Sequence, residues 1–184
     1  MLLGVSKTLK QYLVSAIPNP GDWVEIGLFQ QDNPATLPGN GHLALFLYAV
    51  EENAHMRNRP LELASDGTYR RPPMALTLHY LITYMTKTAS DVQDWLSLVL
   101  QAFHTKPRLG PGELDPSIAG QVEEITVRLQ AMSPDEVQKL WTALAIGMRL
   151  SLYYAVDAAL VPSLERDGDG PVLERRIDYV GADR

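Results

Sequence analysis

Leu43-Ala44-Leu45-Phe46-Leu47-Tyr48-Ala49-Val50 is a nearly continuous apolar run of the length of one strand. Such a run, without the alternation of a half-exposed strand, predicts a strand buried on both faces. It passes straight into a polar stretch, Glu51-Glu52-Asn53-Ala54-His55-Met56-Arg57-Asn58-Arg59-Pro60. Met74 to Thr86 is a second apolar segment, rich in Leu, Ile, Thr and Tyr. It reads as a long central strand, although its periodicity alone permits a helix.

Working outward, Val5, Leu9, Tyr12, Leu13 and Ala16 recur at helical spacing before Pro18-Asn19-Pro20-Gly21, predicting an amphipathic helix over 3–16. Trp23 to Phe29 reads as a short strand, and the Pro-, Asn- and Gly-rich residues 30–41 as a loop. Residues 60–73 read as another loop. Ser90, with Gln93 three positions on, has capping-box spacing and starts a helix carrying Val92, Trp95, Leu96, Val99, Leu100 and Phe103. Pro107 and Gly110-Pro111-Gly112 end it. Gln121 to Gln130 alternates as a half-exposed strand. Ser133-Pro134-Asp135-Glu136 is a second capping box, opening a helix that turns Val137, Leu140, Trp141 and Leu144 inward and ends near Gly147. Residues 149–162 return to strand, with Leu150, Leu152, Tyr154, Val156, Ala158 and Leu160 on one face.

The expected organisation is one domain over 1–162, a charged Gly-Asp-Gly-Pro linker over 163–171 and a C-terminal arm over 172–184. The arm has apolar ends and a charged middle: Val172, Leu173, Arg175, Ile177, Tyr179 and Val180. It is too short for a core of its own. It packs on the domain, pairs with another chain, or stays disordered.

Composition narrows the function. The chain has 184 residues, 46% of them hydrophobic, enough for one core. A net charge of −6 argues against nucleic acid as the main partner, which would need clustered Lys and Arg. No apolar run reaches the ~18 residues of a membrane span, and no secretory signal is read at the start. The absence of cysteine removes thiol and disulfide chemistry.

No catalytic constellation stands out. His42, His55, His79 and His104 lack ligand spacing and read as packing or surface residues, so no metal or cofactor is expected. Gly39-Asn40-Gly41 is not followed by a phosphate-loop lysine, and no serine stands in a Gly-x-Ser-x-Gly elbow. Glu51 and Glu52, as strand neighbours, point to opposite faces and do not converge as an acid–base pair. Trp95 and Trp141 read as core anchors. The candidate interaction residues are Glu51, Glu52, Asn53, His55, Arg57, Asn58 and Arg59. They form either a subunit contact at a sheet end or a solvated loop.

Four blocks carry a family resemblance. They are Leu47 to Asn58, Leu76 to Tyr84, Leu98-Val99-Leu100-Gln101-Ala102-Phe103-His104, and Leu140-Trp141-Thr142-Ala143-Leu144 with Arg149 to Tyr154. In this order they resemble the amino-terminal domain of the cap, or tail terminator, of extracellular contractile injection systems. The antifeeding prophage and the Photorhabdus virulence cassette are the best-known of these. The likeness runs to about residue 162. Ala49 stands where a basic residue is common, and Ile146-Gly147-Met148-Arg149 departs from the usual ending. Some members carry a long extension whose role is not carried over.

The resemblance implies an α/β fold similar to phage tail terminators, a mixed and largely antiparallel sheet flanked by helices with an extended C-terminal arm, and a structural, non-enzymatic role. It implies a homohexameric ring on the last layer of inner tube and sheath, ending their polymerisation. Assembly would take place in the bacterial cytoplasm, within a particle that touches neither nucleic acid nor membrane through this chain. The Glu51–Arg59 residues would then serve ring contacts, and the Val172–Val180 arm would bind sheath. A neck or tail-completion protein of a contractile-tailed phage, a small soluble enzyme without a recognisable motif and a generic adaptor are the alternatives.

Overall fold

A computed structural model describes residues 1–18, 23–27, 41–53, 62–63, 69–70, 74–86, 89–161 and 166–167. Its elements in chain order are α1 (Leu2–Ala16), β1 (Val24–Ile26), β2 (His42–Glu52), β3 (Glu62–Leu63), β4 (Tyr69–Arg70) and β5 (Met74–Met85). There follow α2 (Ala89–Thr105), β6 (Arg108–Leu109), β7 (Ile125–Leu129), α3 (Pro134–Leu144), β8 (Ser151–Val161) and β9 (Arg166–Asp167). Six strands form one sheet in the order β1-β2-β5-β8-β7-β6. Only the β1–β2 pair is parallel. The other pairs are antiparallel, so the sheet is mixed and largely antiparallel, as the family resemblance implied.

Helices α1 and α2 cover one face. Strand residues two apart share a face, so Leu78, Tyr80, Ile82 and Tyr84 of β5 line up beneath them with Leu43 and Leu45 of β2 and Tyr154 and Val156 of β8. Val5, Leu9 and Leu13 of α1 and Leu96, Val99 and Phe103 of α2 close this core. The helices are tied together where the Tyr12 hydroxyl donates to the Ala102 carbonyl at 2.6 Å and its ring lies 5.6 Å from Phe103. Gly4 has a packing reason. A Cβ there would lie 2.3 Å from Ile118 Cγ2, so α1 can approach the β6–β7 connection only with glycine at this position. At that contact the Asp115 amide donates to the Thr8 hydroxyl at 2.8 Å.

Helix α3 packs on the opposite face. Trp141 is buried against Leu81 and Tyr153, with half-buried Val137, Leu140 and Leu144 around it. Its indole N–H donates to the Tyr153 hydroxyl at 2.9 Å. The capping box at Ser133 is present in full: the Ser133 hydroxyl accepts from the Glu136 amide, and the Glu136 carboxylate accepts from the Ser133 amide.

Several expectations are corrected. Burial of the apolar run on both faces holds for Leu43, Ala44 and Leu45. It gives way to half-exposure from Phe46 and to 43% exposure at Val50, because the strand runs past the helices that cover its start. Glu51 and Glu52 end that strand rather than opening a loop, and the Asn53 amide still donates to the Ala75 carbonyl at 2.8 Å. Helix α2 starts at Ala89, so Ser90 falls within its first turn. Helix α3 ends at Leu144, three residues before Gly147, because Ala145 takes the left-handed conformation (φ 55°) that closes it. The span 60–73, read as loop, contains β3 and β4. Arg166–Asp167, in the stretch read as linker, pairs with β4 as β9. Strand β6 was also unforeseen. Two-residue strands leave no periodicity to read.

Candidate functional site

On the face shared with α3, the half of the sheet beyond Leu81 and Tyr153 is polar. The backbone explains how. The β2–β5 register shifts between Leu47 and Ala49, leaving Tyr48 as the extra residue of a β-bulge. Before the bulge, Leu43, Leu45 and Leu47 face the α1–α2 core. After it, Ala49 stands opposite His79 and Glu51 opposite Thr77. Without the extra residue the parity would be reversed and Glu51 would point into the core side.

The register then sets one row of side chains across five strands: Glu51, Thr77, Asp157, Thr126 and Arg108. Asp157 is its hub. It accepts from the Thr77 hydroxyl at 2.7 Å and from Arg128 through Nε at 3.0 Å and Nη2 at 2.7 Å. The Asn53 amide reaches it at 3.5 Å. Both guanidinium donors converge on the single oxygen Oδ2, and the Thr77 hydroxyl takes Oδ1, so the carboxylate is held from both sides. In the neighbouring row the buried His79 bonds through Nδ1 to Gln130 Oε1 at 2.8 Å. Its Nε2 faces Glu51 Oε2 at 3.5 Å, outside hydrogen-bond geometry. The Tyr48 ring lies 5.9 Å from the imidazole. Burial, reinforced by the nearby Tyr153, Glu51 and Glu136, holds the Tyr48 hydroxyl above its usual pKa, so it stays a neutral phenol.

Of the seven candidate contact residues, Glu51, Glu52 and Asn53 are placed. Glu51 and Glu52 are exposed on opposite faces of the β2 end, and Asn53 is half-buried beside Asp157. His55, Arg57, Asn58 and Arg59 lie outside the described residues. So do the arm residues Val172, Leu173, Arg175, Ile177, Tyr179 and Val180. His79, read as packing or surface, joins the polar rows. Asp157, Arg128 and Gln130 were not singled out. Only their alternation with apolar neighbours in their strands could have marked them.

A second feature went unread. A groove of about 560 Å³ runs between the second half of α2 and strands β7 and β8. Leu100, Phe103, His104, Pro107, Val127 and Leu129 line it. Leu129 extends the apolar alternation of β7 one step past the covered core and is 59% exposed. Among the described residues, no three His, Asp or Glu side chains are grouped to hold a metal ion, and no helix is long and apolar enough to cross a membrane.

Residues 4–175 match the model of the Pvc16 N-terminal domain. The chain belongs to the Pvc16 N-terminal domain family. This is the family to which the four sequence blocks pointed. No curated protein matches the chain.

Two solved structures share the fold of this Pvc16 N-terminal domain. One is the sheath/tube terminator, in the extended state, of the extracellular contractile injection system PVC. It has a TM-score of 0.68 and 18% identity over 100% of this chain and 65% of that one. The other is the anti-feeding prophage cap, a tube terminating cap. It has a TM-score of 0.64 and 20% identity over 97% of this chain and 62% of that one. The chain thus spans slightly less than two thirds of each relative's length.

Proposed function

We propose that this Pvc16-type domain is a structural cap that terminates the inner tube of a contractile injection particle and binds its last sheath layer. The observation that carries the reading is the fold. It matches tube terminators of two such particles over nearly the whole of this chain, within a family already established from residues 4–175. A stack of rings keeps an unsatisfied face at its growing end, and a terminator must match that face below while offering no equivalent face above. The chain works without catalysis, as a homohexameric ring whose contacts include the Glu51–Arg59 region. It is assembled in the bacterial cytoplasm and stays in the particle. The Val172–Val180 arm reaches the sheath, because an extended segment can complete an exposed sheet edge through main-chain hydrogen bonds.

Electron microscopy of particles made without the chain tests the reading. Tubes and sheaths of uncontrolled length are expected, with normal length restored when the full chain is supplied. Capped particles of normal length in its absence would sink it. A chain lacking residues 171–184 should restore tube length but co-sediment poorly with sheath. Normal co-sedimentation would remove the arm from the mechanism.

A further inference from the structure

The two edges of the main sheet complement each other in charge and in apolar surface. At the β2 edge, the strand runs past β1, which among the described residues pairs with Leu43 to Leu45. Its end presents Val50, 43% exposed, on the α1–α2 side, and Glu51, with its side chain 68% exposed, on the other. At the β6–β7 edge the pattern is matched. The apolar groove with Leu129 opens on the α1–α2 side, while Arg108 and Arg128, the latter held by Asp157, stand on the other. The Arg108 side chain, 71% exposed, makes a loose 3.9 Å approach to Glu124. Each edge pairs apolar surface on one face with charge on the other, and the charges are opposite.

We infer that the β2 end of one copy seats against the β6–β7 edge of a second copy, with Val50 entering the groove beside Leu129 and Glu51 facing Arg108 and Arg128. Glu51 and Arg108 end the same cross-strand row, four strand spacings apart, a separation on the order of 19 Å. Each contact therefore uses a different patch from each partner and leaves the other patch free. Such head-to-tail contacts propagate and close into rings when the rotation allows. Burying Val50 and Leu129 supplies the affinity, and the flanking charges set register and partner choice. The inference rests on the ring proposed above and names its two surfaces.

Sedimentation velocity of the full chain over a range of concentrations tests it, with Val50→Glu and Leu129→Glu as separate variants. Both positions are exposed, so each variant should unfold thermally as the wild type does. The wild type should self-associate. Each variant alone should associate at least about tenfold more weakly, the penalty expected of a charge placed in a small apolar contact. An equimolar mixture should form a dimer and stop there, because each variant retains the patch that the other has lost. A second pair guards the charge argument: Glu51→Arg and Arg108→Glu should each weaken association, and mixing them should recover it. Variants that associate like the wild type, or mixtures that stay monomeric, overturn these surfaces and leave the ring reading standing. A wild type that stays monomeric at every concentration overturns both.

Discussion

The two faces of the main sheet are built to different ends. Beneath α1 and α2 the strands contribute Leu43, Leu45, Leu78, Ile82, Ile125 and Val156, all essentially inaccessible, to one continuous core. On the other face Leu81, Tyr153 and Trp141 form a smaller buried cluster, and beyond them the surface turns to Thr77, His79, Arg128 and Asp157. Stability is concentrated on one side. The other is left polar and ordered by its own hydrogen bonds, the condition a surface needs if it is to meet a partner without refolding.

The largest effect expected from this division lies on the dry side. Leu45→Ala removes a fully buried side chain from the main core and should cost about 2–5 kcal/mol. Chemical denaturation of the isolated chain checks it. A loss below about 1 kcal/mol would mean that the two faces are not so unequal. On the polar side, Asp157→Ala frees Arg128 and Thr77 without opening a core cavity. A smaller loss is expected, about 1–2 kcal/mol after allowing for the exposure of the pair. If Asp157→Ala costs as much as Leu45→Ala, the polar rows are part of the folding core and not a surface laid over it.

The same contrast governs what could be read from sequence. The dry side was legible because its signals are periodic. The helical repeat of Val5, Leu9 and Leu13 and the alternation through Leu152, Tyr154 and Val156 both found their places in the core. The polar rows were not, because register decides them. Nothing local to Thr77 or Asp157 announces that they stand opposite each other. The bulge at Tyr48, which decides the face of Glu51, interrupts an apolar run in which every residue would fit either side. The groove was missed for a related reason. Leu129 looks like any core leucine of a strand until the end of the covering helix is known.

The smallest effect expected is at the start of α3, the helix that borders the polar half-face, and it shows through pH. The Ser133 hydroxyl and amide both donate to the Glu136 carboxylate, which holds its folded pKa below the ordinary 4.5. A depressed carboxylate pKa means that folding favours the ionised form. Its contribution is fully present above the unfolded value and is lost as pH falls through the lower, folded one. Wild type should therefore exceed Glu136→Gln in unfolding midpoint at pH 7 by a small, constant margin down to roughly pH 5. Below the ordinary carboxylate pKa the margin should close, since the protonated acid and the amide then carry the same charge. Urea melts at several pH values between these limits would measure it. A margin unchanged at low pH would assign the cap's benefit to side-chain shape alone, and an absent margin would show that α3 is held by Trp141 and Tyr153 without help from its first turn.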